Sequence, residues 1–260
     1  MARPITVNQK HLEVNSKGYA EFLPLGDIHL GSSGCFVEKA ESNIQHCLSK
    51  HVYVATMGDL LEMGTKGSVG AGVYEQIMQP QEQIEAMIEM LRPLADAGLL
   101  LGMLDGNHEI RPHNTTGIQV TKLMAEALSG KYSVPYLGYS RWNLWYVGGT
   151  GYKIYLTHGE GASKKKHTKL KKVLDIAQGV ASRADLVCMG HVHDILFEAV
   201  RYPDIDLKSK KKVYSKQYAC TTGGYHDDEG YVAMKNYEPG LVGSPKIKLF
   251  TGKKDIHISM

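Results

Sequence analysis

Five short clusters in this sequence gather residue types that bind metal ions: Gly26-Asp27-Ile28-His29, Gly58-Asp59, Gly106-Asn107-His108-Glu109, Thr157-His158-Gly159 and Gly190-His191-Val192-His193. Leaving His108 aside, they supply two Asp, one Asn and four His, all nitrogen or oxygen donors. Seven side chains are more than one tetrahedral site uses. They suit two metals that share a carboxylate and keep room for water. Donors of this kind favour Mn, Fe or Zn over a thiolate-selected metal.

For these side chains to meet, the chain must bring five loops to one point. Each cluster follows an apolar run that reads as a strand: Tyr19–Leu25, Val52–Met57, Leu99–Leu104, Lys153–Thr157 and Asp185–Met189. Helical stripes lie between them. Ile84, Met87, Ile88, Leu91 and Leu94 mark a helix over Glu82–Ala97, with Pro93 expected to kink its last turns. Leu170, Val173, Leu174, Ala177 and Val180 mark a second, basic helix. Further strands are expected at Ser140–Val147, Lys212–Cys220 and Ile256–Ile258. The alternation is that of an α/β fold, in which strand C-termini carry the functional loops. The ligand-flanking glycines are expected to supply the sharp turns. Gly64 to Gly72 reads as a loop, and no Gly-Lys-Ser/Thr follows to make it a phosphate-binding P-loop.

The 260 residues are 43% hydrophobic and 22% charged, with a formal charge of +3. That charge is too small for a protein that coats polyanions generally, so any basic surface must be local. The longest near-apolar stretch, Leu99–Leu104, is far short of the roughly 18 residues that cross a bilayer. Met1–Glu13 lacks the apolar block of a secretion signal, so a cytoplasmic location is expected. Cys35, Cys47, Cys188 and Cys220 show no C-x-x-C pairing and read as buried free thiols.

Lys164–Lys172 holds six lysines and Lys208–Lys212 four. Without these ten, 20 basic residues would face 27 acidic ones, a net charge of −7. They read either as a guide for RNA or DNA or as a solvated helix face and a hairpin turn. Trp142, Trp145, Tyr146 and Tyr152 suit base stacking, but Trp142 and Tyr146 share strand parity and suit core packing at least as well. His226-Asp227-Asp228-Glu229, between Gly224 and Gly230, reads as a turn. His11, His46, His51, His113, His167, His226 and His257 have no comparable context and are left unassigned.

In order and spacing the five clusters resemble the calcineurin-like metallophosphoesterase superfamily, whose signature is D-x-H, G-D, G-N-H-D/E, H and G-H-x-H. The resemblance spans Gly26 to His193. It implies a four-layer α-β-β-α sandwich formed by residues 1–260 as one domain, with about 195–260 completing the second sheet. It further implies Asp27, His29 and His193 on one metal, Asn107, His158 and His191 on the other, and Asp59 bridging them. A hydroxide shared by the metals would attack phosphorus in line. His108 would face the leaving group, and Glu62 stands where the phosphoprotein phosphatases carry an Asp that orients this histidine.

Departures from better-known branches direct the substrate expectation. Asp105 and Met63 stand where phosphoprotein phosphatases carry phosphate-gripping arginines, and Glu62 where purple acid phosphatases carry a metal-binding Tyr. His108 replaces the Arg of the lipid-precursor pyrophosphatases. The resemblance then lies with small bacterial and phage-type phosphodiesterases and nucleases, using two divalent ions: Mn, or alternatively Fe or Zn. A general phosphomonoesterase and a non-catalytic binding module of the same fold are the competing expectations.

Overall fold

A computed structural model describes residues 7–65, 74, 76–161, 163–226 and 240–260. Most of the Gly64–Gly72 segment and Asp227–Glu229 lie outside the described residues. In chain order the elements are β1 (Asn8–Leu12), β2 (Tyr19–Leu25), α1 (Val37–Lys50), β3 (Tyr53–Thr56), α2 (Pro80–Asp96), β4 (Leu100–Leu104), α3 (Ile110–Thr116) and α4 (Val120–Leu128). There follow β5 (Tyr136–Gly138), β6 (Ser140–Val147), β7 (Thr150–Thr157), α5 (Lys166–Gln178), β8 (Leu186–Met189), β9 (Phe197–Asp206), β10 (Lys211–Thr221), β11 (Lys246–Phe250) and β12 (Ile256–Ser259).

The strands form two six-stranded sheets, in the orders β12-β11-β2-β3-β4-β5 and β1-β6-β7-β8-β10-β9. In the first, β2 to β5 run parallel, which places the ends of β2, β3 and β4 side by side. In the second, β7, β8 and β10 run parallel and β9 returns antiparallel. Every residue of β3, β4 and β8 is buried, the pattern of strands covered on both faces.

The inner faces of the sheets share one core. Phe22 on β2 meets Trp145 on β6 edge to face, ring centroids 4.8 Å apart. Helices α1, α2 and α4 cover the outside of the first sheet, with Ala40, Met87, Leu91 and Met124 in its core. Helix α5 covers the second, where Val173 and Ala177 pack with Tyr155, Val187 and Met189. This is the four-layer α-β-β-α sandwich that the motifs imply.

Several local expectations need correction. Residues 195–260 supply two strands to each sheet rather than completing one of them, because β11 pairs with β2 across the fold. Helix α5 ends at Gln178, so Val180 lies beyond it and is exposed. Lys169 is no part of a solvated face: it is buried and its Nζ lies 3.5 Å from the buried Asp194 carboxylate. Helix α2 runs on through Pro93 to Asp96 and begins with a capping box between Gln79 and Glu82. Trp145 and Tyr152 are fully buried, Trp142 packs on Tyr155, and Tyr146 stacks on His11, so packing accounts for all four aromatics. Cys47, Cys188 and Cys220 are buried free thiols, whereas Cys35 is half-buried and donates from Sγ to the Ile28 carbonyl. No helix among the described residues is long and apolar enough to cross a membrane.

Candidate metal centre

The loops leaving β2, β3, β4, β7 and β8 converge, and they bring all seven expected donors together. Asp27, His29 and His193 form one group of ligand atoms within 4.8 Å of each other, and Asp59, His158 and His191 a second. Asp59 belongs to both neighbourhoods: its Oδ2 is 3.3 Å from His158 Nε2 and 3.8 Å from His29 Nε2. Asn107 Oδ1 lies 3.0 Å from His158 Nε2.

The backbone pays locally for this convergence. Asp27, His29, Asp59, His191 and His193 all have φ between +48° and +70°, the left-handed region that L-residues rarely occupy. Such strain is held where the surrounding structure over-determines it, and it collects at functional sites. The ligands, not only their glycines, thus make the turns. At Gly106 the need is for space rather than for turning: a Cβ there would fall 2.1 Å from both the amide nitrogen and Oδ1 of Asp59.

A surrounding network fixes each donor. Asp27 accepts from the His191 amide and the Thr222 hydroxyl, each at 2.8 Å. His158 Nδ1 donates to the Met57 carbonyl at 2.8 Å, which leaves the lone pair of the neutral ring on Nε2. That lone pair faces the oxygens of Asn107 and Asp59 and, at 3.2 Å, His191 Nδ1. His29 Nδ1 lies 3.2 Å from Glu62 Oε2, so its Nε2 faces His193 Nε2, also at 3.2 Å. Each of these close approaches needs a proton or a cation between its two atoms. The donor set fits divalent cations of the Mn, Fe or Zn kind, and the carboxylate on His29 is the outer-shell partner that such ligands use.

Without cations, the residues' own protons answer the same field. Burial alone would push the Asp59 carboxyl up, but the His158, His108 and His29 rings outweigh it and hold Asp59 well below the usual range. Burial opposes charge on His158, yet Asp59 and Asp27 raise it to about 9. His191 falls to about 4 through burial and the neighbouring His158.

Three further groups complete the site. Glu109 is buried, and its carboxylate accepts the amide N–H groups of Asp59, Leu61 and Gly106, each at 2.9 Å. His226, unassigned from sequence, has its ring 5.0 Å from that of His29 and groups with His29 and Glu62. The neighbouring Tyr225 accepts the amide of Phe36 at its carbonyl, a contact between distant segments. Arg111 donates to the Glu62 carbonyl at 2.9 Å and approaches His108 Nε2 at 2.9 Å.

Glu62 and His108 differ in detail from expectation. The Glu62 carboxylate lies between two rings, 3.2 Å from His29 Nδ1 and 3.4 Å from His108 Nδ1, while the closer partner of His108 is the Glu62 carbonyl at 2.8 Å. A carbonyl only accepts and a guanidinium only donates. This pattern puts a proton on His108 Nδ1, while burial is outweighed by Glu62 and Asp59, which raise the pKa of the ring.

No protein-family model matches the chain, and no curated protein matches it. Among solved structures it is similar to a conserved predicted phosphoesterase from Streptococcus pneumoniae (12% identity, TM-score 0.39, covering 92% of this chain and 88% of that one). It is similar to Vps29 from Entamoeba histolytica complexed with zinc (12%, 0.40, 92% and 97%). It is also similar to GAP50, the anchor in the inner membrane complex of Plasmodium (10%, 0.43, 93% and 84%). The chain's own two-sheet sandwich carries clustered candidate metal ligands at the ends of its strands.

Proposed function

We propose that this chain is a dinuclear metal-dependent phosphodiesterase acting on nucleic acid or cyclic nucleotides. The observation that carries the reading is the pair of donor groups, Asp27-His29-His193 and Asp59-His158-His191, with Asp59 placed between them. Two divalent ions, Mn or alternatively Fe or Zn, would supply an acidified water and neutralise phosphoryl oxygens. The protein's part is to hold seven donors rigidly and to present His108 toward the leaving group. His108 is half-buried against Glu62, and its Nε2 is 3.9 Å from Asp59 Oδ2, on the cluster side of the ring.

A polymeric substrate is supported less by Lys164–Lys172 than by the β9–β10 hairpin. In the former, Lys169 is paired with Asp194, Lys171 with Asp175, and Lys172 donates to the carbonyls of Glu160 and Gly161. On the hairpin, Arg201, Lys208, Lys210, Lys211, Lys212 and Lys216 outnumber Glu198, Asp204 and Asp206. Arg201 lies over the Tyr214 ring, a pairing that also suits stacked bases. Strand β10 runs from this tip to Thr221, next to the Thr222 that holds Asp27.

The test is to add Mn to metal-free protein and assay bis-p-nitrophenyl phosphate, single-stranded RNA and single-stranded DNA. Turnover of a diester above that of the matching monoester supports the proposal, and no diester turnover at any metal content overturns it. A phosphomonoesterase is the second reading, favoured by the guanidinium of Arg111 at the site, since arginine forks grip terminal phosphates. A non-catalytic module is separated by His108→Ala. The substitution lowers turnover roughly 100-fold in an enzyme, with metal content unchanged, and changes nothing in a scaffold.

A further inference from the structure

The absence of arginines at two motif positions speaks from sequence against a phosphate grip, yet the fold delivers a guanidinium to the same place from another direction. Arg111 is three residues after His108, and the start of α3 turns both side chains to one side. Its guanidinium is steadied by the Glu62 carbonyl at 2.9 Å and by Glu62 Oε1 at 3.6 Å. It ends 2.9 Å from His108 Nε2, the atom 3.9 Å from Asp59 Oδ2. Whatever binds between His108 and the donor cluster therefore comes within reach of this cation.

Its partners there are weak ones for an arginine. An imidazole nitrogen and a backbone carbonyl offer no negative charge, and the carboxylate of Glu62 is shared with His29 and His108. Phosphoryl oxygens give the shorter, charge-assisted and bidentate bonds for which the planar fork is shaped. The side chain is 22% exposed, so it can exchange one partner for another without unpacking the core.

We propose that Arg111 is a substrate-binding residue of this site, whose guanidinium leaves His108 Nε2 to take non-bridging oxygens of the substrate's phosphoryl group. The proposal rests on the phosphoesterase reading above. It adds a specific anion contact that frees the face of His108 as substrate arrives.

The test uses the full chain loaded with Mn, with inorganic phosphate as probe and metal content measured for every variant. Phosphate affinity is read by calorimetry at fixed ionic strength in wild type, Arg111→Gln, Arg111→Lys, His108→Ala and the His108→Ala/Arg111→Gln double variant. Arg111→Gln is expected to weaken phosphate binding about 10-fold or more, the scale of a charged hydrogen bond. Arg111→Lys falls between, keeping charge without the fork. The loss from Arg111→Gln persists in the His108→Ala background, which a residue that merely positions His108 would not produce.

Phosphate affinity within twofold of wild type in Arg111→Gln overturns the proposal, even if turnover falls. So does a loss that vanishes once His108 is removed. If Arg111→Gln does not fold, wild-type phosphate affinity in Arg111→Lys overturns it and a several-fold loss supports it. Active wild-type enzyme with an indifferent Arg111 sinks this inference alone. Wild type that neither hydrolyses phosphoesters nor binds phosphate sinks the phosphoesterase reading and this inference with it.

Discussion

Asp59 and Glu109 brace each other's loops: the Glu109 carboxylate accepts the Asp59 amide at 2.9 Å, while the Asp59 carboxylate accepts the amide of His108, Glu109's neighbour, also at 2.9 Å. The ends of β3 and β4 are thereby locked in register around the carboxylate placed between the two donor groups. Glu109→Gln turns one accepting oxygen into a donor facing a backbone N–H. The expected cost is about 1–3 kcal/mol in urea unfolding, with weaker Mn binding by titration. Unchanged values in both measurements would remove the brace from the account.

The buried Lys169–Asp194 pair ties α5 to the residue after His193. Lys169→Met leaves an uncompensated buried carboxylate and is expected to destabilise the fold by about 3–5 kcal/mol. Lys171, exposed and paired with Asp175 one helical turn on, gives the contrast. Lys171→Ala is expected to cost no more than roughly 0.5 kcal/mol. Parallel denaturant titrations of the two variants check the ratio.

His193 has φ +49° and a side chain that is 35% exposed. Removing its imidazole by Ala or by Gly should weaken Mn binding equally. Metal-free His193→Gly should nonetheless be more stable than His193→Ala by about 1 kcal/mol, because only glycine occupies this conformation without strain. Equal thermal midpoints for the two metal-free variants would contradict the left-handed backbone.

Burial pushes the Cys35 and Cys47 thiols up to about 12, with Glu38 and Glu62 adding to the effect at Cys35 and Glu21 at Cys47. Native protein at pH 8 should show these two thiols slow toward an aromatic disulfide reagent, and all four cysteines quick once unfolded. The folded pKa lies above the unfolded value near 9, so the folded state holds more protons between the two. Stability at these sites is fully present below about pH 9 and is lost as pH rises toward 12. Cys→Ser variants at both positions should flatten that alkaline slope in denaturant titrations.

Charge on the hairpin is expected to act on long substrates only. Replacing Lys208, Lys210, Lys211 and Lys212 with Ser should raise KM for long single-stranded RNA or DNA about 10-fold and leave bis-p-nitrophenyl phosphate unaffected. The salt dependence of polymer binding should also flatten, by roughly 0.7 in log–log slope per lost phosphate contact. Identical KM values for polymer in variant and parent would detach the hairpin from substrate binding.

The sequence by itself marked the candidate donors and the strands that carry them. Asp27, His29, Asp59, Asn107, His158, His191 and His193 are legible because metal-ligand chemistry restricts residue type, and because an apolar run ending in such a residue is a local pattern. The strands at Tyr19–Leu25 and Ser140–Val147 coincide with the structure for the same reason. Tertiary structure alone decided the partners: that Glu109 stitches two loops, that Lys169 is buried rather than solvated, that His226 reaches His29, and that Arg111 stands beside His108. Glu109 meets Leu61, and His226 meets His29, across 48 and 197 positions of chain. Contacts over such separations depend on how strands pair within a sheet and how the two sheets pack, and no periodicity within either segment encodes them.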